Sequence, residues 1–199
     1  MRRIRLFTAF APPVRAMDAI RPAWSLLREQ LTGIRWEPEE KLHSTLKFLG
    51  ECSEELIPEI VDALTVLCAE YRGEIPLRFG NFDVLPSRTR PGVVVISIED
   101  PTGHLTRIHE RIEAAMEQIG FPRETRSFRP HLTIGRIRER NRPGILLEKT
   151  ETVTFQSDLV PISEIMLVAS TLTPGGSIYR TIGRFRFGKE PPSRHSNPA

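Results

Sequence analysis

The stretches His43-Ser44-Thr45-Leu46 and His131-Leu132-Thr133-Ile134 both read His-x-Thr followed by an aliphatic residue. In a β-strand, successive side chains point to opposite faces, so the histidine and the threonine of each stretch share one face. The residues that alternate with them point to the other face. Each stretch therefore predicts a strand that offers one imidazole and one hydroxyl to a common surface.

The sequence around the two stretches repeats in the same order. The two histidines are 88 positions apart, and the strand-like residues 4–10 fall on residues 92–98 when moved by that distance. Pro13 falls on Pro101, and both stand where a helical pattern begins, which is a favoured place for proline. The order of strand, helix, connection and His-x-Thr strand indicates a duplicated unit, which would place two equivalent histidines across a central cleft.

Apolar periodicity predicts the other elements of the chain. The predicted helices cover residues 13–31, 53–71 and 101–119, and Pro22 should kink or interrupt the first of them. The predicted strands cover residues 4–10, 34–36, 75–85, 93–98, 131–138, 152–155, 162–172 and 178–187. Residues 140–149 look irregular. Strands that alternate with three helices, mostly through hairpins, predict an α+β fold with antiparallel sheets.

Length and composition are those of an ordinary globular chain. The 199 residues are 39% hydrophobic and 27% charged, and the net charge of +3 permits a nucleic-acid partner without requiring one. Cys52 and Cys68 do not suggest a disulfide framework, so we expect a reducing, cytoplasmic location. The apolar run near the start is short and broken by Pro12 and Pro13, which does not suit a signal peptide. No apolar stretch approaches the ~20 residues that cross a bilayer.

The domain organisation is predicted to be simple. Residues 1–188 should form one domain, because no linker separates independently folding parts, and residues 189–199 should be a mobile C-terminal tail rich in proline and polar residues.

Two facing histidines suit acid–base chemistry. The ordinary pKa of histidine is about 6.5, so one imidazole can act as a general base and the other as a general acid at neutral pH. This pairing suits displacement at a phosphodiester, where Thr45 and Thr133 would hold the non-bridging oxygens. Threonine is also common in strands for structural reasons, so each hydroxyl alone is a weak indication.

A metal site is the rival use of the histidines. Zinc commonly takes three or four ligands, whereas the two stretches supply two and contain no carboxylate. His104 and His109 lie on different faces of the third predicted helix, and we interpret them as surface or packing residues. His195 falls in the tail. We therefore expect catalysis without a metal or another cofactor.

Seven arginines lie between Arg123 and Arg142, around the second stretch. They form either a solvated basic face or part of a phosphate-binding surface, for which the guanidinium group is well suited. Arg129 has the same strand parity as His131, so it is the first candidate for contact with a substrate phosphate. Pro130 stands between them and weakens the parity argument.

These residues resemble the two-histidine (2H) phosphoesterase superfamily, and within it the RNA 2′,3′-cyclic phosphodiesterases, also described as 2′-5′ RNA ligase-like. The resemblance extends over nearly the whole chain. It includes residues 6–10, 34–36, 42–50 and 128–136, the closing Ser170-Thr171-Leu172 with Pro174-Gly175-Gly176, and Tyr179. Ile134 stands where leucine is frequent, a mild departure that does not affect the histidines.

The resemblance implies a bilobal fold in which two antiparallel sheets face a central cleft, with helices on the outside. It also implies opening of a terminal 2′,3′-cyclic phosphate to a 2′-phosphate without a metal. By position, His43 matches the proton donor to the leaving 3′ oxygen, His131 matches the proton acceptor that activates water, and Thr45 and Thr133 match the phosphate-holding hydroxyls. Weak 2′-5′ ligation in the reverse direction is also implied. We expect a monomer that acts on RNA 3′ ends and has no membrane partner.

Two other functions stay open from the sequence. The same chemistry would act on a small nucleotide, such as a cyclic phosphate of ADP-ribose or a 2′-5′ oligonucleotide. Alternatively, the basic balance and the run of arginines would suit a non-catalytic RNA-binding module, which would bind in a salt-sensitive manner and form no product.

Overall fold

The structure is a computed structural model that describes residues 2–138, 143–174 and 176–188. Nine strands and four α-helices lie in these ranges. The strands are β1 (Arg3–Phe10), β2 (Ile34–Trp36), β3 (Ser44–Ser53), β4 (Ile75–Pro86), β5 (Pro91–Glu99), β6 (His131–Ile137), β7 (Val160–Ile162), β8 (Glu164–Thr173) and β9 (Gly176–Arg186). The helices are α1 (Val14–Gln30), α2 (Ile57–Glu70), α3 (His104–Gln118) and α4 (Pro143–Thr152).

The strands form two antiparallel sheets that repeat one arrangement. The first sheet has the order β3-β1-β8-β9 and the second the order β2-β6-β5-β4-β7. In each sheet, the strand that carries a motif threonine has an equivalent neighbour: β3 pairs with β1, and β6 pairs with β5. The predicted α+β class, antiparallel pairing and duplicated unit are therefore confirmed.

The duplication is permuted in chain order. The strand that follows the pair β3-β1 in the first sheet is β8, and the strand that follows the pair β6-β5 in the second sheet is β4. Strand β4 comes before β5 in the chain, whereas β8 comes long after β1, so the last part of the chain supplies two strands of the first sheet. The helices also cross over, because α1 follows a strand of the first sheet but contacts β4 of the second, and α3 follows β5 but contacts β3. Strands β3 and β6 contact each other, which brings the two His-x-Thr stretches together.

The main hydrophobic core joins the two sheets through the helices. Fully buried side chains from both sheets and three helices belong to one cluster. Examples from these elements are Leu6, Ile20, Leu64, Phe79, Ile96 and Ile108. Within the three described ranges, no helix is long and apolar enough to cross a membrane.

The first three predicted helices are present with shifted ends. Pro22 does not interrupt α1. The proline is exposed, so water can reach the backbone carbonyl four residues earlier, which lacks its usual N–H partner. Met17, Ile20 and Trp24 are buried on the opposite face of the helix. The third helix begins at His104 rather than at residue 101. Asp100 closes the turn before it, because its Oδ2 accepts a hydrogen bond from the backbone N of Thr106 at 2.9 Å.

The segment after β6 differs from the sequence prediction. Residues 140–149 were expected to be irregular, but α4 covers Pro143–Thr152, with proline at its first position. The predicted strand at residues 152–155 is absent, because α4 ends there and the chain then forms a single bridge between Gln156 and Gly80. The edge strand β7 was not predicted as separate from β8. The predicted tail, residues 189–199, lies outside the described residues.

Candidate active site

His43 lies immediately before β3, not inside it. A short 3-10 turn at Glu39–Lys41 leads into the histidine, and the imidazole Nδ1 lies 2.7 Å from the carbonyl oxygen of Lys41. A carbonyl oxygen only accepts hydrogen bonds, so Nδ1 carries the hydrogen. The Nε2 atom of neutral His43 therefore keeps its lone pair, and protonation of the ring places a second N–H there.

His131 repeats this arrangement in the other half of the molecule. It is the first residue of β6, and its Nδ1 lies 2.7 Å from the carbonyl oxygen of Arg129. Each imidazole is thus held by the carbonyl of the residue two positions earlier, and the same argument leaves Nε2 of His131 for proton transfer. The matching hydrogen bonds mean that both rings are oriented by backbone rather than by mobile side chains.

The alternation predicted for the two stretches is confirmed. His43, Thr45, His131 and Thr133 are half-buried, whereas the residues between and after them are buried: Ser44, Leu46, Leu132 and Ile134. Thr45 is paired with Ala9 of β1 and Thr133 with Val95 of β5, so each threonine lies opposite the strand that neighbours its own in the sheet. Each half offers one imidazole and one hydroxyl on the same face.

His43 lies against two aromatic rings. The phenol ring of Tyr179 meets it edge to face with centroids 5.1 Å apart, and the ring of Phe7 lies 4.9 Å away on a tilted plane. Burial lowers the pKa of His43 below its ordinary value, and this effect outweighs the hydrogen bond to the Lys41 carbonyl, which raises the pKa. At neutral pH, the neutral form of the His43 imidazole is thus favoured in the unliganded site.

The charge environment of His43 links the two halves. The carboxylate of Glu37 raises its pKa, while the charges of Arg136 and His131 lower it. Strands β3 and β6 are in contact, so the two motifs lie next to each other where the two sheets meet. Arg136 and Glu37 form an ion pair between β6 and the residue after β2, with Nε and Oε1 3.1 Å apart.

Arg129 lies beside His131, at the edge of the candidate site. Strand β6 begins at His131, so Arg129 precedes the strand, and its contact with a substrate phosphate stays a prediction. Its guanidinium is exposed, with Nη2 4.0 Å from Oδ2 of Asp83, and it borders a cavity beside His131. Its carbonyl, rather than its side chain, is what orients His131.

Two other arginines of this region pair with carboxylates at the surface. Arg123 pairs with Glu117 at 3.5 Å and Arg126 with Glu124 at 2.8 Å. The latter contact lowers the pKa of Glu124 to about 2. Arg140 and Arg142 lie outside the described residues. The solvated basic face is thus the better interpretation for Arg123 and Arg126.

Some site residues have no signal in the sequence motifs. The carbonyl of Lys41 orients His43, and its ammonium Nζ donates a hydrogen bond to the carbonyl oxygen of Ser177 at 3.0 Å. Lys41 thereby ties the β8–β9 hairpin, which carries Tyr179, to the first motif. The sequence indicates only Tyr179, through the family resemblance; the role of Lys41 depends on backbone atoms and leaves no pattern.

The remaining polar clusters do not resemble a metal centre. Among the residues that the structure describes, no three His, Cys, Asp or Glu side chains converge as metal ligands would. His104 packs edge to face on Tyr71, and His109 stacks on Phe128 with ring centroids 4.0 Å apart. Both are packing residues of α3, as predicted. Catalysis without a metal stays a prediction.

Comparison with known proteins agrees with this architecture. A family model described as the 2′-5′ RNA ligase superfamily matches residues 12–170. A protein of Aeropyrum pernix named RNA 2′,3′-cyclic phosphodiesterase is 35% identical over 145 residues, covering 72% of this chain and 81% of that protein. A protein of the same name from Archaeoglobus fulgidus is 30% identical, covering 92% of this chain and 99% of its own length.

Solved structures show the same fold. The crystal structure of TT0787 of Thermus thermophilus has a TM-score of 0.76 at 25% identity, covering 94% of this chain and all of that one (100%). E. coli LigT, in a complex with 3′-AMP, has a TM-score of 0.67 at 22% identity with the same coverage. The chain therefore belongs to the 2′-5′ RNA ligase superfamily, the two-histidine phosphoesterases, and is an enzyme of that superfamily.

Proposed function

We propose that this enzyme is an RNA 2′,3′-cyclic phosphodiesterase that opens a terminal 2′,3′-cyclic phosphate to a 2′-phosphate. The observation that carries the proposal is the matched pair of imidazoles, His43 and His131, each held through Nδ1 at 2.7 Å by a backbone carbonyl. The names of the relatives from Aeropyrum pernix and Archaeoglobus fulgidus support the same activity.

In the proposed mechanism, the two imidazoles start in opposite protonation states. Neutral His131 takes a proton from water at Nε2 as the water oxygen forms a bond to phosphorus. Protonated His43 gives its Nε2 proton to the 3′ oxygen as the bond between phosphorus and that oxygen breaks. The products are a 2′-phosphate and a free 3′-hydroxyl, and both histidines end with exchanged protonation states that solvent restores.

The threonines would act on the charge that builds on the phosphate. The hydroxyls of Thr45 and Thr133 lie on the same face as the imidazoles and would donate to the non-bridging oxygens, where negative charge accumulates in the transition state. The exposed guanidinium of Arg129, at the edge of the site, would contact the phosphate from outside. With a 5′-hydroxyl in place of water as the nucleophile, the same groups would form a 2′-5′ bond as the bond to the 3′ oxygen breaks, which we propose as a weak side activity.

The lowered pKa of His43 would make its protonated form a stronger acid. An imidazole whose pKa is lowered by burial gives up its proton more readily than an exposed one, and binding of an anionic phosphate would favour the protonated form before reaction. The aromatic cover of His43 also leaves it less open to bulk water than a surface histidine. These features suit a group that protonates an alkoxide leaving oxygen.

The test uses an RNA oligonucleotide with a 2′,3′-cyclic phosphate end. His43→Ala and His131→Ala should each lower kcat by at least ~100-fold, the lower range of what general acid–base catalysis contributes. His104→Gln is the matched control, because this histidine packs on Tyr71 away from the motifs. Wild-type turnover by both folded alanine variants would refute the proposal.

The same assay separates the alternatives. A product with a 2′-phosphate formed in EDTA supports catalysis without a metal, whereas salt-sensitive binding with no product supports a non-catalytic RNA-binding module. Loss of activity in EDTA with recovery on zinc would contradict the mechanism. Specificity constants for RNA ends, cyclic phosphates of ADP-ribose and 2′-5′ oligonucleotides decide between RNA and small nucleotides as substrate.

We also propose that the protein acts as a monomer in the cytoplasm. The thiols of Cys52 and Cys68 are free and buried, which accords with a reducing compartment. Light scattering coupled to size-exclusion chromatography tests the first statement, and cell fractionation tests the second. A dimeric mass would contradict the monomer, and finding the protein in a fraction other than the cytoplasm would contradict the location.

A further inference from the structure

A cavity of about 280 Å³ opens beside His131, on the second sheet. Residues directly opposite each other on paired strands share a face. Val95 of β5 is paired with Thr133 on one side and with Asp83 on the other. The cavity therefore occupies the same face of the sheet as the second motif. Its other walls come from Leu85, Ser97, Phe128, Arg129 and Pro130.

Phe128 forms an aromatic wall of this cavity that is held in one orientation. The imidazole of His109 stacks on it with centroids 4.0 Å apart and planes 8° from parallel. His109 is itself fixed, because its Nδ1 lies 2.9 Å from the carbonyl oxygen of Leu46 on β3. One face of the Phe128 ring is thus covered by His109, and Phe128 is among the residues that line the cavity. A fixed aromatic surface near a phosphate site suits stacking of a planar base.

The polar groups on the strand side of the cavity are hydrogen-bond acceptors. The hydroxyl of Ser97 donates its hydrogen to the carbonyl oxygen of Gly80. Towards any other partner, the hydroxyl oxygen of Ser97 can therefore act only as an acceptor. The carboxylate of Asp83 is held through Oδ1, which accepts from the backbone N of Val84 at 2.8 Å. Asp83 is half-buried, with Nε of Arg88 3.8 Å from its Oδ1 and Nη2 of Arg129 4.0 Å from its Oδ2. A carboxylate has acceptor capacity beyond these contacts.

We infer that this cavity binds the nucleobase of the nucleotide that carries the cyclic phosphate, and that it favours guanine. This inference rests on the proposed function, because that function is what brings a nucleotide to His131. Guanine presents two adjacent donors, N1–H and the N2 amino group, which match the acceptors of Asp83 and Ser97. Uracil presents a single N–H between two carbonyl oxygens, and these oxygens would face the carboxylate unfavourably.

The experiment measures kcat/KM for the four 2′,3′-cyclic nucleoside monophosphates. The wild type should use the guanosine substrate about tenfold better than the uridine substrate, in line with the discrimination of a well-matched pair of hydrogen bonds. Asp83→Asn keeps an oxygen for the Val84 amide but loses the second anionic acceptor. It should lower kcat/KM for the guanosine substrate about tenfold and leave the uridine substrate nearly unchanged.

Two further variants separate a base pocket from a general effect on folding. Phe128→Leu should raise KM for all four substrates to a similar extent, because stacking is tolerant of base identity. Glu99→Gln is the matched control: this carboxylate lies on the neighbouring strand β5, pairs with Arg78 at 3.6 Å and does not line the cavity. It should leave both kcat/KM and the base preference unchanged.

The outcomes distinguish this inference from the proposed function. Equal kcat/KM for all four bases, or a preference that Asp83→Asn leaves intact, would overturn the base pocket while the phosphodiesterase activity stands. If none of the substrates turns over, the proposed function fails instead. Calorimetry with guanosine 2′-monophosphate and uridine 2′-monophosphate then still tests the pocket. Equal affinity for the two compounds would overturn the base pocket. Tighter binding of the guanosine compound that is lost in Asp83→Asn would support it.

Discussion

The phenol ring of Tyr179 meets the imidazole of His43 edge to face, with ring centroids 5.1 Å apart and planes at 82°. The two residues are far apart in the sequence and belong to β9 and to the turn before β3. With Phe7 on another side of the imidazole, this contact removes His43 from water, and burial is the largest cause of its lowered pKa. The hairpin β8–β9 thus contributes to the burial of His43, which is the largest cause of its lowered pKa.

Tyr179→Ala should raise the pKa of His43 towards 6.5, its ordinary value, because removal of the ring lets water solvate the charged imidazole. NMR titration of the His43 Hε1 signal measures this directly. Tyr71→Phe is the control, since Tyr71 packs on His104 rather than at the site. An unchanged titration midpoint in Tyr179→Ala would contradict the burial argument.

The same shift makes a prediction for stability against pH. A folded-state pKa below 6.5 means that the unfolded chain binds more protons at His43 than the folded chain does between the two values. The contribution of His43 is therefore fully present above pH 6.5 and is lost as the pH falls through the folded pKa. Urea unfolding at several pH values should show a smaller loss over this window in Tyr179→Ala than in wild type.

Thr45→Val and Thr133→Val should each lower kcat by about 100-fold, with KM affected less, because each removes one donor to charge that develops in the transition state. Steady-state kinetics on a 2′,3′-cyclic phosphate substrate measures both parameters. The control is Thr65→Ala, whose hydroxyl bonds the carbonyl of Val61 within α2. Wild-type kcat in both valine variants would remove the threonines from the mechanism.

Lys47 and Glu113 form a buried ion pair that connects β3 to α3, with Nζ and Oε2 2.6 Å apart and side-chain exposures of 2% and 7%. The ammonium also donates to the carbonyl of Pro122 at 2.8 Å, on the connection that leads to His131. Lys47→Met or Glu113→Gln should each lower the free energy of unfolding by about 3–5 kcal/mol, because each leaves a buried polar partner uncompensated. Urea unfolding measures the loss.

The double replacement of Lys47 and Glu113 by apolar residues should cost less than the sum of the single changes, since it leaves no unpaired charge. Glu70→Gln is the control, because Glu70 pairs with Arg111 on the exposed side of α3. That change should alter the free energy of unfolding by less than ~1 kcal/mol. If the loss of free energy in the double variant equals the sum of the losses in the two single variants, the charges of Lys47 and Glu113 do not stabilise each other.

Gly135 in β6 allows the close approach of β2. A Cβ atom at this position would lie 2.6 Å from Cγ2 of Ile34 and 3.0 Å from Cε3 of Trp36. Gly135→Ala should therefore lower the free energy of unfolding by about 1–3 kcal/mol through overpacking. Thermal and urea unfolding measure the change. Adding Ile34→Ala to Gly135→Ala should restore part of the lost free energy of unfolding. An unchanged free energy of unfolding in Gly135→Ala would show that β2 can shift to accommodate the added Cβ atom.

Local sequence patterns predicted most of the elements but not all of their ends. Alternation and helical periodicity are local properties, so the strands around both motifs and the helices α1 to α3 could be predicted from them. Helix α4 was not predicted because its apolar pattern is weak: among its described side chains, Leu146 and Leu147 are the ones that belong to or pack against the main core. Pro22 was expected to disturb α1, yet tertiary burial of Met17 and Trp24 keeps the helix continuous.

The sequence by itself determined that His43, Thr45, His131 and Thr133 form one candidate set, because their spacing of two and their repeat after 88 positions can be read from the order of residues. Only the tertiary structure decided what surrounds them. The ring of Tyr179 on His43, the stack of His109 under Phe128 and the carboxylate of Asp83 beside His131 join segments that are remote along the chain. Such contacts follow from how the two sheets and α3 pack, and packing leaves no periodic trace in any single segment.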